Sequence, residues 1–393
     1  MSLGMVRAGI GLFSVLCILG CAKKKEEAPP APKPAAVATP APETKPAETQ
    51  PTETKPTETQ PSTETKPLAA GAKPAEGAPW IQVPLGLDTL LNFPADNIPT
   101  PEKIELGRLL YFDKRISQDV TISCATCHDP QHGWTDNQPV STGIHGRKGT
   151  RSAPTVINST YYLLQFWDGR AKNLEEQALG PIVNPSEMGR GKHEEMIATL
   201  TGIQAYKPLF QKAFGDPNIT KERVAMAIAS FERTILGGNS KFDRYNNGDK
   251  TAMNESEIRG QELFFGKANC TKCHVGTNFS DSDFHNLGVG MKALKPDFGR
   301  FEVTKDEKDK GAFKTPSVRD VTRTAPYMHD GSLKTLEEVV ELYDKGGEPN
   351  KWLDFRVVKL NLTPQEKTDL VNFMKALDSE PYPIVAEPTA FPQ

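Results

Sequence analysis

The sequence predicts an all-α protein in which two helical domains with long loops follow a tether rich in Pro, Thr, Glu and Lys. Three observations predict this class: apolar residues recur at helical spacing, no run of strand-like alternation is convincing, and one short cysteine motif occurs twice in similar surroundings. The chain has 393 residues and a net charge of −3. It therefore lacks the basic excess that a nucleic-acid-binding surface needs.

The first residues indicate export. Arg7 precedes an apolar run at residues 10–20, which is too short to cross a bilayer and is followed by Cys21. A small residue followed by Cys here resembles a bacterial lipoprotein box, and an ordinary secretory signal is the alternative. We expect a signal peptide at residues 1–20, lipid attachment to Cys21, and a periplasmic protein that touches the membrane only through that anchor.

Residues 21–79 are predicted to form a disordered linker. Pro, Thr, Glu, Lys and Ala dominate it, and the tetrapeptide Glu-Thr-Lys-Pro occurs at residues 43–46, 53–56 and 64–67. Because it has few large apolar side chains, such a segment cannot bury enough surface to offset the entropy of ordering it.

Helix signals organise the rest of the chain, which we divide at the polar turn Asn246-Asn247-Gly248 into domains at residues 80–248 and 249–393. Four helices with N-terminal signals are predicted to begin at or near Thr100, Thr220, Glu255 and Thr363. The apolar face of the second of these extends to Ile235, before Gly237-Gly238.

The cysteine motif is Cys-x-x-Cys-His, at residues 124–128 and 270–274, and a similar helical segment precedes each copy. Two thiols at this spacing can each form a thioether to one edge of a haem, and the adjacent His is then placed to ligate the iron. A structural zinc site or cysteine pairs that form disulfides or redox motifs are the alternatives, but neither accounts for a His directly after both pairs. We therefore predict two covalently bound c-type haems, attached to Cys124, Cys127, Cys270 and Cys273 and ligated by His128 and His274.

Segments between and after these motifs resemble the bacterial di-haem cytochrome c peroxidase and MauG family. The resemblance covers roughly residues 80–380 and rests on residues 152–155, 165–171, 176–177, 187–188 and 324–331. It implies two all-α cytochrome c-like domains. A peroxide-reacting haem would lie in the N-terminal domain and an electron-supplying haem in the C-terminal one.

The resemblance also assigns roles to individual residues. Trp167 matches a tryptophan between the haems, and Gln177 and Glu187 match a polar pair on the open side of the peroxidatic haem. A secluded carboxylate with a raised pKa can take a proton from one peroxide oxygen and return it to the other, so Glu187 is the candidate acid–base. His145 is the nearest match to a displaceable second ligand of the N-terminal haem, with an ordinary loop histidine as the alternative. Arg170 is a candidate partner of a haem propionate.

Two positions depart from the common pattern of the family. Tyr343 stands where many relatives supply Met to the C-terminal haem, and a phenolate favours ferric iron. This Tyr resembles MauG, the methylamine-utilisation di-haem enzyme, which oxidises tryptophans of a partner protein through a high-valent state shared by both haems. The family also implies a calcium ion between the domains, bound by Thr324 and Pro326 and by Ser152, which replaces an expected asparagine.

Three functions remain in competition. The first is reduction of hydrogen peroxide at the His128 haem, with electrons from a small cytochrome c or cupredoxin passing through the His274 haem and Trp167. The second is a MauG-like oxidase that modifies a protein substrate, and the third is a non-enzymatic di-haem electron carrier or sensor. Relatives are often homodimers, so a homodimer is a further expectation. His285 is predicted to lie at the surface.

Overall fold

The structure is a computed structural model, and it describes residues 71–393. The signal peptide predicted at residues 1–20, the lipid-attachment residue Cys21 and the linker up to residue 70 lie outside the described residues.

The linker predicted to reach residue 79 is too long, because a β-hairpin begins before that point. Strand β1 (Lys73–Ala75) pairs antiparallel with strand β2 (Ala78–Val83). Alternate residues of β2, including Ile81 and Val83, are buried and pack with Leu236 of the folded body. This packing stabilises a segment whose average composition resembles the linker before it.

Helices make up most of the regular structure, as predicted. In residues 71–393 the α-helices are α1 (Pro101–Phe112), α2 (Cys124–Cys127), α3 (Leu174–Val183), α4 (His193–Gly202), α5 (Tyr206–Phe214), α6 (Lys221–Glu232), α7 (Lys241–Asn246), α8 (Glu255–Phe265), α9 (Phe301–Thr304), α10 (Leu336–Asp344) and α11 (Pro364–Lys375). Short 3-10 helices lie at Lys114–Ile116, Pro130–His132, Ile144–Gly146, Ser159–Tyr161, Cys270–Lys272, Glu307–Asp309 and Val321–Arg323. A second two-stranded ladder pairs β3 (Phe284–His285) with β4 (Phe313–Lys314). Within this part of the chain, no helix has both the length and the apolar character that crossing a membrane requires.

The predicted helix starts are confirmed. The side chains that accept a hydrogen bond from the third residue of their helix are Thr100, Thr220, Asn254 and Thr363. Helix α6 ends at Glu232 and does not continue to Ile235. The reason is that the carbonyl of Ile235 accepts a hydrogen bond from the amide of Asn158, which draws the chain into a loop.

The first lobe is built on the crossing of α1 and α6, with α3, α4 and α5 packed around them. An aromatic cluster fills its centre, where the ring of Tyr111 lies 5.1 Å from that of Phe231 and 5.8 Å from that of Trp134. All three side chains are buried. The first motif contacts this cluster, because the hydroxyl of Tyr111 donates to the carbonyl of His128.

The second lobe repeats this crossing with α8 and α11. A Cβ atom on Gly107 of α1 would lie 1.9 Å from the carbonyl oxygen of Ala227, and one on Gly260 of α8 would lie 2.0 Å from that of Asp369. Both crossings therefore bring two backbones into direct contact, which only glycine permits. The similar segments seen before the two motifs are thus the same structural unit in each lobe.

The boundary predicted near residue 248 stays a prediction, and side chains pack across it in both directions. Phe242 of α7, which precedes the boundary, packs against the core of the second lobe. Tyr382 and Phe391 come near the end of the chain but pack against the core of the first lobe. The indole N–H of Trp134 also donates to the carbonyl of Pro383 at 2.9 Å. The C-terminal residues therefore help to bury the first core.

Candidate active site

The first cysteine motif forms α2, and its histidine stands at the end of that helix. The sulfurs of Cys124 and Cys127 are not joined to each other. Nδ1 of His128 lies 3.3 Å from the carbonyl oxygen of Trp134. A carbonyl can only accept, so Nδ1 carries the proton and Nε2 keeps the lone pair that can ligate a metal. Burial lowers the pKa of His128, which keeps its imidazole neutral.

The second motif repeats this arrangement. Cys270 begins a short 3-10 helix, and Nδ1 of His274 lies 3.0 Å from the carbonyl oxygen of Phe279. Burial lowers the pKa of His274 as well. Each lobe therefore holds one neutral imidazole in the same tautomer, with Nε2 available as a ligand.

Sequence reasoning missed the two residues that orient these histidines. Trp134 has a φ of +58° and Phe279 a φ of +50°, a conformation that is uncommon for bulky residues. Their side chains are 0% and 3% exposed, so packing in each core holds the backbone in this conformation. The only signal for them in the sequence is a large aromatic residue five or six positions after each motif histidine.

The alternatives of a four-cysteine zinc site or a disulfide find no support in the geometry, although Cys273 lies near Asp281 and His285. Within residues 71–393 all four cysteines are free thiols, and they do not gather into one four-sulfur site. Burial raises the pKa of Cys127 to about 11 and that of Cys270 to about 12. Redox-active cysteine pairs instead carry a thiol of lowered pKa. Covalent haem attachment stays the prediction that accounts for both pairs and both histidines.

A cavity of about 270 Å³, partly open to solvent, surrounds the second motif. Cys270, Cys273 and His274 line it, together with Tyr343 of α10. Most of the other residues of its wall are apolar, among them Phe166, Phe264, Leu336, Val340 and Leu370. A broad apolar cavity with two thiols and one imidazole in its wall fits a haem. Burial raises the pKa of the Tyr343 phenol, and the nearby thiols of Cys273 and Cys270 raise it further.

Glu187 lies beside the first motif, on the loop after α3. Its Oε1 accepts a hydrogen bond of 2.6 Å from the side-chain amide of Asn184. Burial raises the pKa of Glu187, although the charge of Arg170 and the Asn184 hydrogen bond oppose the shift. Burial also raises the pKa of Cys124 and Cys127, and the charge of Glu187 adds to both shifts. The carboxyl is thus half-buried and its charge acts on both thiols, while its acid–base role stays a prediction.

Gln177 and His145 lie in different surroundings. Gln177 is half-buried on α3, and its side-chain amide has no hydrogen-bond partner within residues 71–393. The side chain of His145 is 54% exposed, with Nδ1 3.5 Å from a carboxylate oxygen of Asp119. The loop of His145 is tied to that of Glu187, because the amide of Ile144 donates to the Glu187 carbonyl at 2.9 Å. Gln177 is thus available to a ligand, whereas His145 is held at the surface.

Trp167 connects the two lobes through hydrogen bonds at its side chain and its backbone. Its indole N–H donates to the carbonyl of Ser152 at 2.9 Å, and its own carbonyl accepts from the amide of Lys314 in β4 at 2.8 Å. Trp167 also lines the cavity around the second motif. It therefore lies at the contact between the lobes, and its place between two cofactors stays a prediction.

Ion pairs hold the loop of Trp167 against the second lobe. Arg151 lies 2.7 Å from Asp168 and 2.6 Å from Asp297 of the second lobe. The guanidinium of Arg170 also binds Asp168, at 3.0 Å, and lies 3.5 Å from the centroid of the Phe166 ring. Arg170 is therefore engaged by a carboxylate of the chain, and its pairing with a haem propionate stays a prediction.

The residues expected to bind calcium all line one cavity: Ser152, Thr324 and Pro326. The carbonyl of Ser152 already accepts the Trp167 indole, and its amide donates to the carbonyl of His329 at 2.7 Å. A carbonyl oxygen has a second lone pair, so this arrangement is compatible with a cation.

His285 is not at the surface, contrary to the prediction. It is 6% exposed, and its two ring nitrogens lie 2.9 Å from Asp281 and 2.8 Å from Asp354. One carboxylate is four residues away in sequence and the other is 69 residues away. Together they explain why a charged histidine is buried here. Sequence reasoning had no local signal for the contact with Asp354.

Comparison with known proteins gives the family. The family model described as di-haem cytochrome c peroxidase matches residues 101–251. The methylamine utilization protein MauG of Methylorubrum extorquens is 40% identical over 291 residues, which are 73% of this chain and 81% of that protein. The cytochrome c551 peroxidase of Nitrosomonas europaea is 40% identical over 288 residues, 72% of this chain and 82% of the relative.

A solved structure agrees with these relatives. The structure of a MauG-like protein associated with microbial copper homeostasis is 35% identical, with a TM-score of 0.69, and the match covers 74% of this chain and 93% of that one. Family membership implies two haem cofactors, and the peroxidases among the relatives identify an oxidoreductase of the peroxidase type. On these grounds the chain belongs to the di-haem cytochrome c peroxidase family.

Proposed function

We propose that the protein reduces hydrogen peroxide to water at the His128 haem. The observation that carries this proposal is Glu187, a half-buried carboxyl with a raised pKa beside the first motif. An electron carrier needs no such group, because transfer of electrons alone moves no proton to an oxygen atom.

The reaction consumes one peroxide, two electrons and two protons and yields two water molecules. Each haem, when bound, supplies an iron that accepts and releases single electrons. Glu187 would take a proton from one peroxide oxygen and return it to the departing oxygen. The hydrogen bond from Asn184 holds the carboxyl in one orientation while the proton moves. Gln177 offers an unpartnered amide that holds peroxide or water in place.

Electrons reach this site from a small cytochrome c or cupredoxin, through the second haem and Trp167. The position of Trp167 supports this route, since its carbonyl is bonded to β4 of the second lobe and its indole to Ser152 of the first. The aromatic ring is thus fixed at the contact between the lobes.

A test of this function is peroxide turnover by the purified protein with both haems attached. The assay follows oxidation of a reduced small cytochrome c by hydrogen peroxide, before and after reduction of the second haem alone. Sustained turnover supports the proposal. Absence of turnover under both conditions, with all donors tried, rejects it in favour of an electron carrier or sensor.

The second candidate is a MauG-like oxidase that modifies a protein substrate. It is favoured by Tyr343, which lines the cavity of the second motif close to Cys270 and Cys273. Within residues 71–393 its hydroxyl has no hydrogen-bond partner, so the oxygen is free to ligate. A tyrosinate spectrum in the ferric protein that is lost in Tyr343→Phe would support this candidate. A methionine-type or water-ligated spectrum would count against it.

We further propose one calcium ion held by Ser152, Thr324 and Pro326, in an inter-lobe cavity that these residues line. Oxygen ligands suit this ion. A chelator should then lower the melting temperature of the haem-loaded protein, and added calcium should restore it.

We also propose a periplasmic location, with a lipid on Cys21 as the only membrane contact, and assembly into a homodimer. Incorporation of labelled palmitate into the wild-type chain, and its loss in Cys21→Ala, tests the anchor. Sedimentation of the purified protein tests the dimer.

A further inference from the structure

Lys314 is a buried lysine at the contact between the two lobes. It is 8% exposed and belongs to β4, where its backbone pairs with Phe284 of β3. Its amide donates to the carbonyl of Trp167 at 2.8 Å. Lysine is among the residue types that are almost never fully buried without a partner, so this position requires an explanation.

No carboxylate of the chain provides that partner. Within residues 71–393 no Asp or Glu oxygen lies within 4.0 Å of the Lys314 ammonium, and its Nζ donates no hydrogen bond there. The ammonium lies 3.2 Å from the centroid of the Tyr162 ring, and both side chains line the cavity of the second motif. Contact with the face of a ring stabilises a cation only in part.

The missing partner has a clear energetic consequence. Taking an ammonium group out of water without a counter-charge is costly, and burial lowers the pKa of Lys314 to about 7. Either the lysine loses its proton near neutral pH, or an anion enters the cavity beside it. The second outcome restores an ion pair in a low-dielectric site.

The arginines of this region are already paired, and Lys272, which also lines the cavity, is exposed to solvent. Arg356 binds Asp354 at 2.9 Å, Arg170 binds Asp168, and Arg151 binds Asp168 and Asp297. Arg356 also contacts His285, at the end of the cavity near Cys273. Among the cavity-lining cations of residues 71–393, Lys314 is thus the buried one left to meet an anion, and Tyr162 and Trp167 lie beside it.

The chemistry of haem c supplies an anion of the required kind. Its two thioether bonds are formed at one edge of the porphyrin, and its two propionate carboxylates extend from the opposite edge. Cys270 and Cys273 fix the first edge, so the carboxylates point away from them. We propose that Lys314 forms an ion pair with a propionate of the haem held by Cys270, Cys273 and His274, and so places a fixed positive charge beside Trp167 between the two haem sites.

This charge has an effect on the reduction of that haem. A nearby cation stabilises the iron when it gains an electron, so Lys314 raises the reduction potential of the His274 haem. The inference rests on a haem at the second motif, which the proposed function shares, but it does not depend on peroxide turnover.

The test is a spectroelectrochemical titration of both haems in the full haem-loaded protein. Lys314→Met should lower the equilibrium constant for reduction of the His274 haem about tenfold, which corresponds to a shift of roughly 59 mV for one electron. Lys314→Arg should keep a value close to wild type, because it keeps the charge. Lys295→Met is the matched control, since Lys295 is an exposed lysine of the same lobe.

Resonance Raman spectroscopy of the propionate bending mode gives a second measurement on the same samples. We expect this mode to shift in Lys314→Met and in Lys314→Gln and to stay unchanged in Lys295→Met. If Lys314→Met attaches haem poorly, the Raman mode of Lys314→Gln still tests the ion pair between Lys314 and the propionate.

Two results would overturn the inference. One is a potential and a propionate mode that are the same in wild type, Lys314→Met and Lys314→Gln. The other is a change in reduction potential confined to the His128 haem, which would show that the lysine does not interact with the His274 haem. A peroxide assay on wild type reports separately on the proposed function, so failure of one does not imply failure of the other.

Discussion

The indole N–H of Trp167 donates a hydrogen bond to the carbonyl of Ser152, with 2.9 Å between the two atoms. This bond fixes an aromatic ring whose own backbone carbonyl is held by Lys314 of the other lobe. Hydrogen bonds to both lobes therefore fix the position of the Trp167 side chain. A substitution that removes only the N–H can change this position and still keep an aromatic ring.

Trp167→Phe keeps an aromatic ring and removes the N–H donor. We expect haem content to be unchanged and electron transfer between the two haems to slow by roughly fivefold to tenfold, equivalent to the loss of one hydrogen bond of about 1 to 1.5 kcal/mol. Stopped-flow spectroscopy of the half-reduced protein after peroxide addition measures this rate. Trp80→Phe is the control, because Trp80 is 43% exposed in β2. An equal rate in both variants would remove Trp167 from the electron route.

Glu187→Gln keeps the shape of the side chain and removes its acid–base function. We expect kcat to fall by about 10² to 10⁴, the usual contribution of a positioned acid–base group. Burial raises the pKa of Glu187. When the solution is acidified, activity that needs the carboxylate should therefore be lost at a higher pH than it would be with an ordinary Glu. The acid limb of the kcat/KM profile should be absent in the variant.

The control for this prediction is Glu194→Gln, an exposed acid in the first turn of α4. Its profile should match wild type. A wild-type acid limb that persists in Glu187→Gln would assign the proton transfer to another group.

His145→Ala tests whether this histidine is a ligand of the first haem. Its side chain is 54% exposed and lies beside Asp119, so we expect the substitution to leave the ferric spectrum and the turnover without pre-reduction unchanged, within about twofold. Electron paramagnetic resonance of the ferric protein measures the ligation directly. Conversion of a six-coordinate low-spin signal to high spin in the variant would establish His145 as a ligand.

His285 should make the stability of the protein depend on pH. Burial alone would lower its pKa, but hydrogen bonds to Asp281, Cys273 and Asp354 raise the pKa of His285 to about 10. With Cys273 bonded to haem, the two carboxylates remain as partners. A group whose pKa is raised on folding stabilises the protein fully below its unfolded pKa, near 6.5, and progressively less as the pH rises above that value.

We therefore expect His285→Gln to lower the free energy of unfolding by roughly 3 kcal/mol at pH 6, because a buried charge cluster loses one partner. At pH 10 the loss should be much smaller. Thermal unfolding of the haem-loaded protein at both pH values checks this. A destabilisation that is equal at pH 6 and pH 10 would show that the histidine is not charged in the folded protein.

Gly260→Ala tests the repeated helix crossing. The added Cβ would lie 2.0 Å from the carbonyl oxygen of Asp369, so the backbones of α8 and α11 must separate. We expect a loss of about 3 kcal/mol or more in the free energy of unfolding, measured by denaturant titration. Gly202→Ala is the control, because a Cβ there meets no atom within 4 Å. Equal stability of the two variants would exclude a close crossing.

Much of this organisation could be predicted from local signals in the sequence. Thr100, Thr220 and Thr363 cap the helices that they were expected to cap, because a hydroxyl that accepts from the third amide depends only on neighbouring residues. The two cysteine motifs are also local, and each imidazole has the tautomer that ligation requires.

Features that depend on residues far apart in the chain could not be predicted in this way. His285 meets Asp354, 69 residues away, and therefore lies inside the fold and not at its surface. Lys314 resembles an ordinary surface lysine until Trp167 and Tyr162 are brought to it. The hairpin before residue 79 likewise depends on packing against Leu236.

The most direct test of the account adds one molar equivalent of hydrogen peroxide to the haem-loaded protein with both haems reduced. One peroxide takes two electrons, so we predict that a single equivalent oxidises both haems within one turnover, and that Glu187→Gln slows this reaction without changing its stoichiometry. Two haems that stay reduced after peroxide addition, or a purified protein in which the four motif cysteines carry no haem, would contradict the account.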